Sequence, residues 1–363
     1  MTQNPLEHLH LQAGAQLSSD QPRVPLRFGT DLEKEYWRVA RGAGLFDMSH
    51  RGRFQLAGKD AIDWMNSLVT NDVKALRPGT GVSAVLTTPK GRVIDVLTLL
   101  LSNELFLVDT HASRRGVVVS WMQRYLIRED VRISDVTEDT CELWLRGPRV
   151  ARVIEALGGP DPESLPALGH CRVAVADAAV YFIKHVDALG LGFDFILRAE
   201  DAPRVYSQIL AAGAPYDLAR AGLESYETLR LEAGMPEVGS ELSEDVNPLE
   251  AGLFGAVSFK KGCYVGQEVV ARLNTYQKVM RQVTGFVLPE GAAASANDAV
   301  LIDGKEIGRI SSCGHSFKLG VPIALGYVKS TYAEAGRRVT IQAARGPVDA
   351  RMATLPFALA AKE

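Results

Sequence analysis

The residues with the most chemical potential are Lys260-Lys261-Gly262-Cys263-Tyr264-Val265-Gly266-Gln267-Glu268. Two ammonium groups precede a cysteine, and two glycines bracket it. After Gly266 the apolar residues Val269, Val270 and Leu273 recur at helical spacing, which places Cys263 on a turn leading into a helix N-terminus. Nearby cations and the positive end of a helix both favour thiolate over thiol. Such a sulfur suits nucleophilic attack or transient ligation. The same residues are also compatible with a small buried hydrophobe in a tight loop.

Two aspartates stand where apolar residues are expected. Asp95 interrupts Val93, Ile94, Val96, Leu97, Leu99 and Leu100; a carboxylate there must be paired, face a cavity, or end a strand. Asp194 lies between aromatics in Gly190-Leu191-Gly192-Phe193-Asp194-Phe195. A carboxylate accepts two adjacent donors, such as the ring N–H and amino group of a pterin; an ordinary edge-strand Asp is the alternative. The paired glycines lack the third glycine and the helix of a phosphate loop. Arg230 stands in Thr228-Leu229-Arg230-Leu231-Glu232-Ala233-Gly234-Met235-Pro236, where Gly and Pro stop a helix. It suits either an anionic tail or the helix dipole. No Ser-His-Asp, HExxH, Walker or GxSxG pattern occurs.

The elements that must position these groups fall into three textures. A first α+β layer runs from residue 40 to 140: a helix over Asp60 to Leu68, strands Ser83 to Thr88, Arg92 to Leu101 and Leu105 to Asp109, then a helix carrying Val117, Val118, Trp121, Met122 and Tyr125. A similar order recurs over 141–279, with strands Cys141 to Leu145, Ala179 to Lys184 and Phe193 to Leu197 and helices Pro148 to Leu157, Ala202 to Ala211 and Asp217 to Leu231. From 280 to 363 short strands alternate with glycine turns, among them Asp303-Gly304, a hairpin signal. That texture predicts a small β-barrel. Residues 1–39 form an N-terminal arm, whose polar start reads as a loosely docked tail without a secretory pattern.

Composition narrows the classes. A chain of 363 residues, 47% apolar and 23% charged, suits two or three globular domains. A net charge of −3 gives no electrostatic case for nucleic acid or an anionic membrane. The most apolar stretch, Val93 to Val108, is broken by Asp95, Ser102, Asn103 and Glu104, so no spanning helix is expected. The missing secretory pattern points to the cytoplasm, and Cys141, Cys171, Cys263 and Cys313 form no C-x-x-C pair, which argues against a disulfide framework or a closed metal site.

In this order the pieces resemble the aminomethyltransferase-like folate-binding superfamily. The markers are Ala43-Gly44-Leu45-Phe46-Asp47-Met48-Ser49-His50, Thr70-Asn71-Asp72-Val73, Gly91-Arg92-Val93-Ile94-Asp95, Gly192-Phe193-Asp194-Phe195, Leu229-Arg230-Leu231-Glu232-Ala233-Gly234 and Leu355-Pro356-Phe357. The resemblance implies two α+β domains with antiparallel sheets and a C-terminal β-barrel, set as a ring around a central channel for tetrahydrofolate. Within the superfamily, Lys261 to Glu268 looks like the signature of the YgfZ-type branch. That branch implies a tetrahydrofolate-binding protein that assists iron–sulfur enzymes as transient clients, with Cys263 as its working residue. Asp194, Arg230, Asp95 and Tyr264 would hold the folate. The alternative is a folate-dependent aminomethyl- or methyltransferase of the glycine-cleavage T-protein type, in which Asp95 is catalytic and Cys263 is not needed. The barrel stretches Gly308 to Ser312 and Ile323 to Val328 look more like that second branch. A third reading is a module that only stores or senses folate.

Overall fold

The computed structural model describes residues 4–275 and 279–358. They sort into two compact units: residues 4–65, 73–83 and 97–227, and residues 66–72, 84–96, 228–275 and 279–358. The chain opens with α1 (Glu7–Gln12), β1 (Ala15–Leu17), β2 (Pro25–Phe28), α2 (Leu32–Arg41), β3 (Ala43–Asp47), β4 (Gly52–Ala57) and α3 (Ala61–Leu68). There follow β5 (Thr80–Thr87), β6 (Val93–Leu101), β7 (Phe106–Thr110), α4 (Arg115–Arg124) and β8 (Arg132–Asp135). Next come β9 (Thr140–Arg146), α5 (Val150–Ala156), β10 (His170–Val175), β11 (Ala178–Asp187), β12 (Gly190–Arg198), α6 (Ala202–Gly213), β13 (Leu218–Ala221) and α7 (Leu223–Glu232). After α8 (Gln267–Thr275) the strands are β14 (Arg281–Val287), β15 (Ala299–Ile302), β16 (Lys305–Ser316), β17 (Val321–Lys329), β18 (Arg338–Ala343) and β19 (Gly346–Ala353).

In the first unit a six-stranded sheet has the order β10-β11-β12-β9-β3-β13. Strand β9 shows why one face is apolar and the other is not. Its alternation puts Cys141, Leu143 and Leu145 on one side and Glu142, Trp144 and Arg146 on the other. The apolar side joins Leu45, Phe182, Phe193, Phe195 and Leu197 in one core with Val153 and Ile154 of α5 and Val205 and Ile209 of α6. At roughly 1.5–3 kcal/mol per fully buried large apolar side chain, that core dominates the unit's stability. A second sheet has the order β5-β6-β7-β4-β8, so the expected meander is present with two further strands beside it.

The expected α+β class with antiparallel sheets is found, with one parallel pairing, β13 with β3, in the six-stranded sheet. Two other expectations are corrected. The helix expected from Asp217 to Leu231 is divided: Asp217 takes a left-handed φ of +55°, a conformation that ends local helix, and a strand precedes α7. The N-terminal segment is also more than a loosely docked tail. Leu6 is fully buried in the core, and His10 and Asn4 donate to Asp47 Oδ2, each at 2.8 Å. Its polar letters conceal this because Asn4 and His10 both find a buried partner in Asp47.

The second unit contains the expected barrel, closed in the order β14-β17-β16-β15-β18-β19. Phe286, Val300, Ile310, Ile341 and Met352 fill it. At the Ile302↔Lys305 hairpin end, Asp303 and Gly304 have φ of +49° and +74°, the double left-handed turn anticipated from that dipeptide. The sequence reading missed β19, whose apolar alternation Val348, Ala350, Met352 is masked by Asp349 and Arg351.

Candidate functional site

The polar face of the first unit's main sheet is a buried cluster of charge. Antiparallel register sets Asp194 opposite Trp144 and Gly192 opposite Arg146, so these side chains share a face. Glu142, Trp144, Arg146 and Asp194 are 2%, 9%, 3% and 7% exposed, burial that charged groups tolerate only with partners.

Arg53 is fully buried and donates to Glu142 Oε2 (3.1 Å), to Thr140 Oγ1 (2.7 Å) and to the carbonyls of Ser49, Arg51, Thr137 and Thr140. Trp144 Nε1 donates to Glu142 Oε1 at 2.6 Å, and the guanidinium carbons of Arg51 and Arg146 lie 5.0 and 4.8 Å from its ring centroid. Arg51 is itself paired with Asp109. Burial, with Asp109 adding to it, pushes the Glu142 carboxyl up to about 8 against the pull of Arg51 and Arg53. Burial and then Arg51 pull nearby His50 down to about 4, so its ring is neutral.

Arg146 reaches Asp194 because Gly192 has no side chain. A Cβ there would sit 2.7 Å from Arg146 Nη1 and 2.8 Å from its Cδ. Arg146 Nη2 approaches Asp194 Oδ1 to 2.7 Å, and Nη1 donates to the carbonyls of Leu145 and Phe193. Burial works against the guanidinium charge, but Asp194 and Asp187 outweigh it and raise its pKa. Despite the close approach, Asp194 Oδ1 and Arg146 Nε each lack a hydrogen bond of good geometry, and both atoms are buried. Oδ1 is engaged by the Arg146 guanidinium as an ion pair, which leaves Arg146 Nε as a buried donor with unused capacity.

The sequence reading identified Asp194 and missed Glu142, Trp144, Arg146 and His185. The signal for the first three was present: a polar residue at every second position of Glu142-Leu143-Trp144-Leu145-Arg146, a strand pattern with charge where a free surface seldom carries Trp.

The other expected residues belong to the second unit. Asp95 is fully buried in β6, and its Oδ1 accepts from the Val96 amide at 2.8 Å. Arg230 is 1% exposed and donates to Glu241 Oε2 (3.0 Å), Ser312 Oγ (3.2 Å) and the Met235 carbonyl. Glu241 also accepts from the Ser311 and Ser312 hydroxyls. Arg230 is therefore engaged in a buried network of its own unit.

The cysteine motif folds into a clasp. Lys261 Nζ donates to the carbonyls of Asn66, Val69 (2.7 Å) and Asn71 (3.0 Å), the segment in which α3 ends. Burial, opposed by Asp72, pulls its ammonium down to about 8. Lys261 also lies 5.1 Å from the ring centroid of Tyr264, whose hydroxyl burial pushes up to about 12. Gly266 has a φ of +84°, and a Cβ there would meet the Thr88 carbonyl at 2.5 Å, so only glycine fits. Thr87 Oγ1 donates to the Val265 carbonyl at 2.6 Å. Cys263 is exposed, not a buried hydrophobe, and lies four residues before α8 begins. Among the described residues there is no cluster fit to hold a metal ion and no helix long and apolar enough to cross a membrane.

Comparison with known proteins places these features. Residues 6–261 match the model of the GCVT N-terminal domain, and residues 281–358 match that of the glycine cleavage T-protein C-terminal barrel domain. Aminomethyltransferases of Desulforamulus reducens and Moorella thermoacetica are 31% and 32% identical to the chain, each over 98% of both sequences. The crystal structure of glycine cleavage system aminomethyltransferase T from Bartonella henselae superposes with a TM-score of 0.86 over 98% of both chains at 23% identity, and so shares the fold.

These relatives overturn the expectation of a YgfZ-type assistant to iron–sulfur enzymes. Aminomethyltransferases match the chain from end to end. The clasp explains Lys261, Tyr264 and Gly266 without calling on the Cys263 sulfur. Two domain models and full-length kinship together establish that the chain belongs to the family of the glycine cleavage T-protein.

Proposed function

We propose that the protein is a folate-dependent aminomethyltransferase. It moves the carbon of a sulfur-bound aminomethyl group to tetrahydrofolate, releasing ammonia and a free thiol. Tetrahydrofolate is the cofactor of this family. The observation that carries the reading is the buried Asp194–Arg146 pair, an acceptor and a donor on one face, with Arg146 Nε unpartnered. A ring presenting adjacent N–H and amino donors beside a carbonyl oxygen matches that pair, so the residues present fit the group. Full-length identity to aminomethyltransferases supports the reaction class.

When bound, tetrahydrofolate supplies nucleophilic nitrogens for the carbon. The chain's residues bind, orient and move protons. Asp194 and Arg146 fix the ring, and the Trp144 ring lies against the Arg146 guanidinium. Asp95, a fully buried carboxylate, holds or takes the proton that the amine chemistry must move. Arg230 is held within its own unit, anchored by Glu241. Four free cysteines suit a reducing compartment, and we place the protein in the cytoplasm.

The test is incubation with tetrahydrofolate and aminomethylated lipoyl protein, following methylenetetrahydrofolate and ammonia together. Equal amounts of both are expected. Tetrahydrofolate binding with neither product would remove the proposal and leave a storage or sensing module.

A further inference from the structure

We infer that His185 is a positioning residue for Asp194, anchored in turn by Asp187. The inference rests on the folate reading of Asp194 given above.

The three residues come from one hairpin. In the β11–β12 register, Ile183 faces Asp194, His185 faces Gly192 and Asp187 faces Gly190. His185 and Asp187, two apart on one strand, therefore share the face that carries Asp194. His185 Nε2 lies 3.5 Å from Asp194 Oδ2, and Nδ1 lies 3.4 Å from Asp187 Oδ2. The imidazole thus bridges two carboxylates with its two nitrogens. Opposite it stands Gly192, which leaves the space that Arg146 crosses.

The consequence is a two-sided hold on Asp194. Arg146 approaches Oδ1 at 2.7 Å from one side and His185 approaches Oδ2 from the other. A carboxylate held at one oxygen can still turn about its terminal torsion, which is broad; a second contact fixes the plane in which it accepts. A neutral imidazole has one N–H and satisfies one of the two carboxylates, whereas the imidazolium satisfies both. The side chain of His185 is 26% exposed, so the bridge is open to solvent. Its ring lies 6.5 Å from that of Trp144 at 32°, which keeps it over the same face.

The test is a double-mutant cycle read by calorimetric titration with tetrahydrofolate. His185→Ala is expected to weaken binding by about tenfold, in the range for residues that orient a ligand-binding group, and to raise KM with little change in kcat. His185→Gln, which keeps a donor, should recover much of that loss. In an Asp194→Asn background His185→Ala should cost nothing further, because a residue acting through Asp194 has nothing left to position. The same fold-loss in both backgrounds, or no loss in wild type, overturns the inference while leaving the folate reading intact. Unchanged affinity in Asp194→Asn alone overturns both. A urea midpoint for each variant separates misfolding from lost binding.

Discussion

Gly192→Ala tests the architecture of the candidate site. The added methyl would lie 2.7 Å from Arg146 Nη1, 2.8 Å from Cδ and 3.0 Å from Cζ. The clash runs along the side chain as well as at its tip, so a small swing of the guanidinium does not relieve it. Arg146 must leave its contacts with Asp194, Leu145 O and Phe193 O, or β12 must move away from β9. Losing one partner of a buried ion pair costs roughly 3–5 kcal/mol, and overpacking a well-filled site costs roughly 1–3 kcal/mol. Arg146 can recover part of the loss by taking a new rotamer, so the expected net is about 2–4 kcal/mol. Urea unfolding checks the stability, and calorimetric titration should show tetrahydrofolate affinity falling by at least about tenfold, matching the loss of a charge-assisted contact. Gly190→Ala is the internal control. Its φ is +91° and nothing lies within 4 Å of the added carbon, so it should cost about 1–2 kcal/mol through the backbone alone and leave affinity within about twofold. Equal behaviour of the two variants would refute the reasoning, because it would mean that Gly192 serves only the hairpin and not the passage of Arg146.

Three further outcomes are expected. Lys261→Met leaves three carbonyls without their ammonium donor and should cost roughly 3–5 kcal/mol in urea unfolding, while Lys260→Met at the adjacent exposed position stays within about 0.5 kcal/mol. A thiol reagent applied to the native protein should label Cys263 and Cys313 quickly and Cys141 only on unfolding, since burial raises the Cys141 pKa and both outer cysteines are exposed; early labelling at Cys141, read by peptide mass, would contradict the buried assignment. His50 is held neutral, its pKa pulled from 6.5 to about 4 by burial and then by Arg51. Unfolding takes up a proton there between these values, so its contribution is present above about 6.5 and lost as pH falls through about 4. His50→Gln should therefore show a shallower fall in stability across that window, and an unchanged slope would count against it.

Strand and helix order was legible where one period dominated. The β5-β6-β7 meander, α5, α6 and five barrel strands follow apolar alternation or helical spacing that local sequence displays. The region around Asp217 misled because its apolar residues suit a helix equally well, and the left-handed Asp217 that divides it depends on tertiary fit. At the site, Asp194 was visible as a charge among aromatics. Arg146 was not, because its value depends on a glycine across a strand boundary, and no local pattern reports which strands will be neighbours. The Lys261 to Glu268 motif shows the opposite failure. Its glycines and lysine suggested a reactive sulfur, whereas their spacing is accounted for by a backbone clasp against residues 66–71 and 87–91. A motif can be specific and still report packing, here through the neighbours of its exposed cysteine.

The central claim is best tested by comparing turnover of two variants in the aminomethyl-lipoyl assay. Asp95→Asn should abolish formation of methylenetetrahydrofolate, while Cys263→Ser should proceed at the wild-type rate. The reverse pattern, with turnover surviving Asp95→Asn and lost in Cys263→Ser, would contradict the account and return the sulfur to the centre of the chemistry.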